Sequence, residues 1–418
     1  MAAKSVPLAV RVLFLVFVFT LPFEATDLGF MTGMVSIAKI AGFLFFMCYF
    51  FYHNSLFSKR SFPPIPAAMW WFLTFLAVDA VNGILLGPTE YLMDVVASVF
   101  QLTQLIVMFW IGSDLLKDDK TARGVLLAYT IAASLFAIGM VLKVPGFYVE
   151  LAQGRESGIG ENPNGVAANS AVAILIILGF LLYTSQRKLL LVLLSIPLFG
   201  ALVLSGSRGG VLAFFIGSAI YLLPYRRSKR VLMAIVFAAF AISSVVYLVV
   251  KNSDFRGRWE ETYYEGNLAG RDEIFSVAWE MILERPLLGW QPVNWFWELG
   301  RRIGGEWTWR GRDSHNLYLT LLLEAGVFGA TPFFIGLWWC ARSAWRARGG
   351  RLGLLPLALL LTVLAVAMSG NVLTWKPLWL IFGLTLAAEA GLANASHFRR
   401  RVPVVLVGRR SQSVRQAS

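Results

Sequence analysis

The chain has 418 residues, 57% of them hydrophobic and only 15% charged, and 37 Lys and Arg against 24 Asp and Glu give a net charge of +13. That much apolar surface cannot be hidden by a water-soluble protein of this size. The excess of base lies in short loops rather than in a soluble patch with interleaved aromatics, so nucleic-acid binding is not indicated. Two lone cysteines, Cys48 and Cys340, give neither a metal spacing nor a disulfide framework.

In chain order, apolar segments fall near 8–23, 35–52, 67–86, 95–113, 124–142, 165–183, 189–204, 209–224, 231–250, 315–340, 353–370 and 375–393. Most reach the roughly 20 residues that cross about 30 Å of hydrocarbon. Lipid offers no partner for bare backbone, so helices are expected. The predicted fold class is all-α, a polytopic membrane protein of about 12 transmembrane helices. Lys4, Arg11 and the run to Phe23 could be read as a signal peptide; an uncleaved first span is expected, because further spans follow at once.

Alternate connections differ in charge. One set holds Lys59, Arg60, Lys117, Lys120, Arg123, Arg187, Lys188, Arg226, Arg227, Lys229, Arg230, Arg342, Arg346, Arg348 and Arg351, together with the C-terminal tail. The other holds Glu24 and Asp27, then Glu90 and Asp94, then segments of mixed charge. The positive-inside rule then puts both termini in the cytoplasm. The expected division is nine spans over 1–250, a large outer loop over 251–314, three spans over 315–393 and a basic cytoplasmic tail over 394–418. No internal repeat of the transporter kind is visible.

The outer loop is too short for a typical independent domain. Within it, 271–284 reads as an amphipathic helix. Ile274, Ala278, Met281 and Ile282 form one apolar stripe with Phe275, Trp279 and Leu283 beside it, and Glu273, Ser276, Glu280 and Glu284 lie opposite. Asp272 and Glu273 suit the first turn, and Pro286 ends the helix. Such a helix is expected at the membrane surface.

Four outward clusters can carry chemistry. Arg155 stands before Gly158, Gly160 and the turn Asn162-Pro163-Asn164, which also reads as a simple helix start. Ser207 is a predicted N-cap followed by Arg208, Gly209 and Gly210, where first-turn N–H groups and a fixed positive charge suit an anion; Arg208 snorkelling to lipid headgroups is the alternative. Arg271 opens the loop helix against the dipole, which an anion there, or a pairing with Asp272, would offset. Asp313-Ser314-His315-Asn316 leads into the tenth span and holds the one histidine on the outer side, His53 and His397 falling inside. Asp79 and Glu324 are intramembrane carboxyls. Glu324 falls on roughly the opposite helix face from His315 and is expected to meet another helix; Asp79 has no assignable role.

Arg155-x-x-Gly158 with Asn162-Pro163-Asn164, Ser207-Arg208-Gly209-Gly210, Gly270-Arg271, Arg285-Pro286-Leu287-Leu288-Gly289-Trp290 and His315-Asn316-x-x-Leu319 with Glu324-x-Gly326-x-x-Gly329 occur in an order that resembles the O-antigen ligase/polymerase superfamily. The resemblance covers about residues 150–330. It implies a C-type membrane glycosyltransferase of the bacterial inner membrane whose donor is an undecaprenyl-diphosphate-linked glycan and whose site is periplasmic. Length and layout look most like the ligase, with lipid A–core as acceptor and membrane lipid around it; an O-antigen polymerase, another lipid-linked glycan transferase, or less so a flippase are the alternatives.

On that reading Arg208 and Arg271, with Arg155, clamp the diphosphate, and guanidinium geometry suits its oxygens. His315 is the expected general base, with its pKa lowered by the arginines nearby, and direct attack by the acceptor inverts the anomeric centre. Asn164, Ser207, Gly209, Gly210 and Asn316 are secondary candidates. The outer loops hold no Asp-x-Asp and no His/Cys cluster, so no metal or other cofactor is expected.

Overall fold

The computed structural model describes residues 6–24, 36–53, 62–151, 155–158, 162–183, 188–223 and 271–401, isolated residues 243, 256, 257, 260 and 264, and side chains as far as 392. The expected ninth span at 231–250, Gly160, Gly270 and most of 251–270, and the tail beyond 401 lie outside the described residues.

Fourteen α-helices and one small hairpin make up the described chain. The helices are α1 (Leu8–Thr20), α2 (Ile37–His53), α3 (Ala67–Val81), α4 (Leu92–Leu115), α5 (Asp119–Val141), α6 (Pro163–Tyr183), α7 (Lys188–Leu204) and α8 (Arg208–Ile220). After the undescribed stretch come α9 (Arg271–Glu284), α10 (Asn294–Ile303), α11 (Trp307–Arg310), α12 (Leu317–Arg346), α13 (Leu355–Val366) and α14 (Lys376–Arg401). Strands β1 (Val149–Leu151) and β2 (Arg155–Ser157) pair antiparallel just before α6. The protein is all-α in class, and each of the eleven expected spans that fall on described residues is a helix at nearly the expected place.

Among the described residues, five helical stretches are long and apolar enough to cross a membrane: Ala67–Leu86, Thr89–Leu115, Asp119–Val141, Pro163–Tyr183 and Leu317–Gly349. Five shorter apolar helices stand with them, among them Leu8–Phe23 and Lys188–Leu204. Large apolar side chains point outward along these helices, including Phe43, Trp70, Leu85, Phe100 and Leu189. So many exposed apolar groups suit a lipid boundary and not water.

At the centre stands α6, buried at every residue from Val166 to Leu182. A helix apolar all round belongs in an interior, and its Ala, Gly and Ser residues let neighbours approach closely. Around it α8 packs on α13, α14 on α4, α3 along α12, and α7 against both α5 and α6.

The loop helix α9 has the predicted bounds, and its buried residues are Ile274, Ala278, Met281 and Ile282, the predicted stripe. With Trp290, Trp295, Leu299 and Leu323 they form a second small core apart from that of the bundle. Arg302 ties this subdomain together: it forks onto Glu284 at 2.6 and 2.7 Å, bonds Glu298 at 2.9 Å, and shares the Trp290 ring with Arg285. Trp279 and Leu283 remain exposed on the outer side of α9.

One feature of α12 was not expected. Its 30 residues would run about 45 Å as a straight helix, longer than a bilayer core is thick. At Gly326 the backbone leaves the helix with φ 59° and ψ −166°. The interruption frees backbone groups, and the segment after α9 takes them up. Val327 N–H donates to Pro286 O at 2.8 Å, Phe328 N–H to Leu287 O at 3.1 Å, and Trp290 N–H to Leu323 O at 2.6 Å. From the helical turn just after α3, Asn82 donates to Leu288 O at 2.7 Å and to Glu324 O at 3.3 Å. The Arg285–Trp290 motif is therefore a backbone plug seated in a broken helix. A side chain at Gly326 would run into the Leu287 backbone, and one at Gly289 would meet Leu323 O and Gly326 N.

Gly326→Ala should therefore lose both its backbone conformation, worth about 1–3 kcal/mol, and the plug. Thermal unfolding in detergent checks this, with a clear fall in Tm expected for Gly326→Ala. Gly112→Ala, whose added methyl group meets only Leu116 at 3.9 Å, should leave Tm unchanged or raise it.

Candidate active site at the helix ends

The first two sequence clusters are one hydrogen-bonded unit. Ser207 caps α8 as expected, its Oγ accepting from Gly210 N–H at 3.2 Å. The same hydroxyl donates to Asn164 Oδ1 at 2.9 Å. Arg155, on β2, donates through Nη2 to Asn164 Oδ1 at 3.1 Å and through Nε to Ser205 O at 3.2 Å. Gly210 seats against Ala167 of α6, and Gly209 against Ser369 in the connection after α13. The Gly210 N–H is thus taken by the cap rather than left uncovered. These residues lock the start of α8 to the start of α6 and hold Arg208, half-buried, at the rim.

The other two clusters meet there. Arg271, first residue of α9, is half-buried and feels the charges of Arg208, Arg312 and Asp313. Burial is the main influence lowering its pKa; the two arginines add to it and Asp313 partly offsets them. Asn316 caps α12, its Oδ1 accepting from Tyr318 N–H at 2.9 Å and Leu319 N–H at 3.2 Å. Its side-chain oxygen is therefore occupied in the helix start.

His315, one residue earlier, has φ 51°, a left-handed conformation uncommon for a non-glycine residue. Asp313 maintains it: Oδ1 accepts the His315 N–H at 2.5 Å and lies 3.7 Å from Nδ1, while Oδ2 accepts from Asn371 at 3.3 Å. The His315 pKa is lowered, as expected, though chiefly by burial; Asp313 pulls it back up, and Arg271 and Arg312 push it down. The outcome is an imidazole biased toward its neutral form, set among positive charges.

Sequence reasoning gave no role to Asp313, Arg312 or Asn371. Asp313 and Arg312 stood within the right cluster, but only the fold shows them facing His315 and Arg271. Asn371 lies in a separate connection, and a polar residue there carries no local signal. Glu324 does meet another helix: its carboxyl group lies near enough to Asp79 of α3 for the two charges to act on each other. Both carboxyl oxygens of Asp79 are buried without a hydrogen-bond partner among the described residues. No group of three or more His, Cys, Asp or Glu side chains suited to a metal ion occurs among the described residues.

Fold and site together define a helical protein with many apolar helices, as an integral membrane protein has, and a half-buried cluster of arginines around one histidine at one end of its bundle. Residues 190–334 match the family model described as O-Antigen ligase, a family whose members are membrane glycan transferases. The match takes in Arg208, Arg271 and His315; Arg155 and Asn164 precede it. No curated protein matches the chain.

The backbone at His315 gives a direct check on this geometry. A left-handed residue without glycine's freedom costs about 1–2 kcal/mol, so His315→Gly should be about 1 kcal/mol more stable than His315→Ala. Paired thermal melts read the difference, and an Ala variant as stable as the Gly variant would contradict the strained backbone.

Proposed function

We propose that the protein is an O-antigen ligase, moving a glycan from undecaprenyl diphosphate onto a hydroxyl of lipid A–core at the periplasmic face of a bacterial inner membrane. The observation that carries this reading is the meeting of Arg208 and Arg271 with His315 at the starts of α8, α9 and α12. The donor's diphosphate sits at the membrane–water boundary, where these guanidinium groups lie. As the glycosidic bond breaks, negative charge grows on the departing diphosphate, and fixed cations there stabilise the transition state more than the bound substrate.

His315 takes the proton from the acceptor hydroxyl. Neutral imidazole is the required form, and burial with Arg271 and Arg312 nearby favours it. Asp313 acts as the group that orients the base. Attack from the face opposite the diphosphate inverts the anomeric carbon. Arg155, engaged with Asn164 and Ser205, supports the clamp by holding the Ser207 turn in place. Guanidinium charge does the work on the leaving group that a divalent ion does in other transferases, so the reaction is read as metal-independent.

The topology follows the same reading: about 12 spans, both termini cytoplasmic, and the loop 251–314 outside. In support, basic connections gather at the bundle end away from the site. Arg11 bonds Asp118 at 3.2 Å, Arg351 bonds Asp119 at 3.4 Å, and Arg346 bonds Glu389 at 3.3 Å.

Reconstitution with lipid-linked O-antigen and lipid A–core tests the assignment. A ladder on lipid A–core is expected; longer lipid-linked chains would make the protein an O-antigen polymerase with the same site, and lipid movement without either product a flippase. His315→Ala should bind donor but lose about 10²–10⁴-fold in transfer. Arg208→Ala should lose about 10²–10³-fold, with poor rescue by Lys because the fork is gone; wild-type rates in either variant would remove that residue from the mechanism.

A further inference from the structure

Arg312 lies between Glu306 at the start of α11 and His315 at the start of α12, and its surroundings are unusual for a surface arginine. Its guanidinium carbon stands 3.8 Å from the centre of the Trp307 ring. Its backbone N–H donates to Phe296 O at 2.9 Å, which fixes the strand of chain that carries it. Its Nε is buried and meets no hydrogen-bond acceptor among the described residues.

Three acids lie near enough to act on Arg312, Asp313 first and then Glu306 and Glu273, and none accepts its Nε–H. Both oxygens of Asp313 are taken, by the His315 backbone and by Asn371, and Glu306 pairs with Arg310 at 3.0 Å. A buried donor on a charged group is costly to leave unmet, and arginine cannot escape by shedding its proton. Stacking on Trp307 occupies a face of the guanidinium and leaves its N–H donors pointing outward in the plane, the edge that receives phosphate oxygens. The same charge acts on both Arg271 and His315, so it lies within their cluster.

We infer that Arg312 is a further guanidinium of the diphosphate clamp, held in plane by Trp307 and completing its orphan Nε–H on a phosphate oxygen of the donor. This rests on the proposed reading of the pocket as a diphosphate site. It also assigns the arginines distinct tasks. Arg155 is a positioning residue, already bonded to Asn164 and Ser205, while Arg208, Arg271 and Arg312 contact the anion. Arg312 has a second effect through its position: the charged groups facing His315 are Asp313, Arg271 and Arg312, so loss of Arg312 removes a charge that holds the imidazole neutral.

The test uses the full chain in lipid nanodiscs, with inorganic diphosphate titrated by calorimetry and transfer assayed against pH. Arg312→Gln should weaken diphosphate binding about 10- to 100-fold, the loss of one charge-assisted hydrogen bond. Its residual transfer should show an acid limb displaced to higher pH, since the histidine then protonates more readily. Arg312→Lys should leave that limb near its wild-type position but bind diphosphate weakly, because the fork is lost; it also serves if the Gln variant does not fold. Wild-type diphosphate affinity in Arg312→Gln, or in Arg312→Lys where Gln fails to fold, overturns the inference, and Arg208→Gln failing to bind in the same assay would leave the pocket's assignment standing. Wild-type protein that binds no diphosphate overturns the assignment beneath it.

Discussion

The break in α12 at Gly326 is the constraint on which the outer half of the molecule depends. A helix interrupted within an apolar bundle leaves backbone donors and acceptors that neither lipid nor apolar side chains can satisfy. Here the Pro286–Trp290 backbone satisfies them, with Asn82 closing the arrangement from the turn after α3. The plug joins α9 on one side to α10 and α11 on the other, so seating it sets the position of the whole loop subdomain. Arg271 at the far end of α9 and Arg312 just after α11 are thereby carried to the N-terminal end of α12, where His315 stands.

What the fold assembles there is electrostatically costly. Arg271 is half-buried beside Arg208 and Arg312; Asp313 partly balances both Arg271 and Arg312, and Glu306 and Glu273 also act on Arg312. Like charges held together in reduced dielectric are unfavourable unless a counter-charge joins them. His315 adds backbone strain at φ 51°. Strain and partly balanced charge at one place, supported by caps at Ser207 and Asn316 and by the plug, fit the proposed anion site. A lipid-linked diphosphate meets that need in charge and in location, at the ends of apolar helices.

Much of this was legible in the sequence because it is local. Hydropathy located the spans on described residues, the 3.6-residue period located α9 and its buried stripe of Ile274, Ala278, Met281 and Ile282, and the Ser207 cap followed from residue type. The rest depends on distance in sequence. Glu324-x-Gly326-x-x-Gly329 reads as continuous helix until the plug is seen, because the break exists only with Pro286 and Leu287 to complete it. Asp79 had no visible role because its partner, Glu324, lies far along the chain. Arg155 looked like a free cation because its acceptors, Asn164 and Ser205, are also common loop residues, and Asn371 gave no signal that it would anchor Asp313.

The account stands or falls on where the donor's diphosphate rests. Electron cryomicroscopy of the full chain in nanodiscs, with a non-transferable undecaprenyl diphosphate bound, would answer this directly. The account predicts phosphate oxygens about 3 Å from the Arg208 and Arg271 guanidinium groups, with the His315 ring facing the open side of the pocket. A diphosphate bound at the opposite end of the bundle, among Arg11, Arg346 and Arg351, would contradict it.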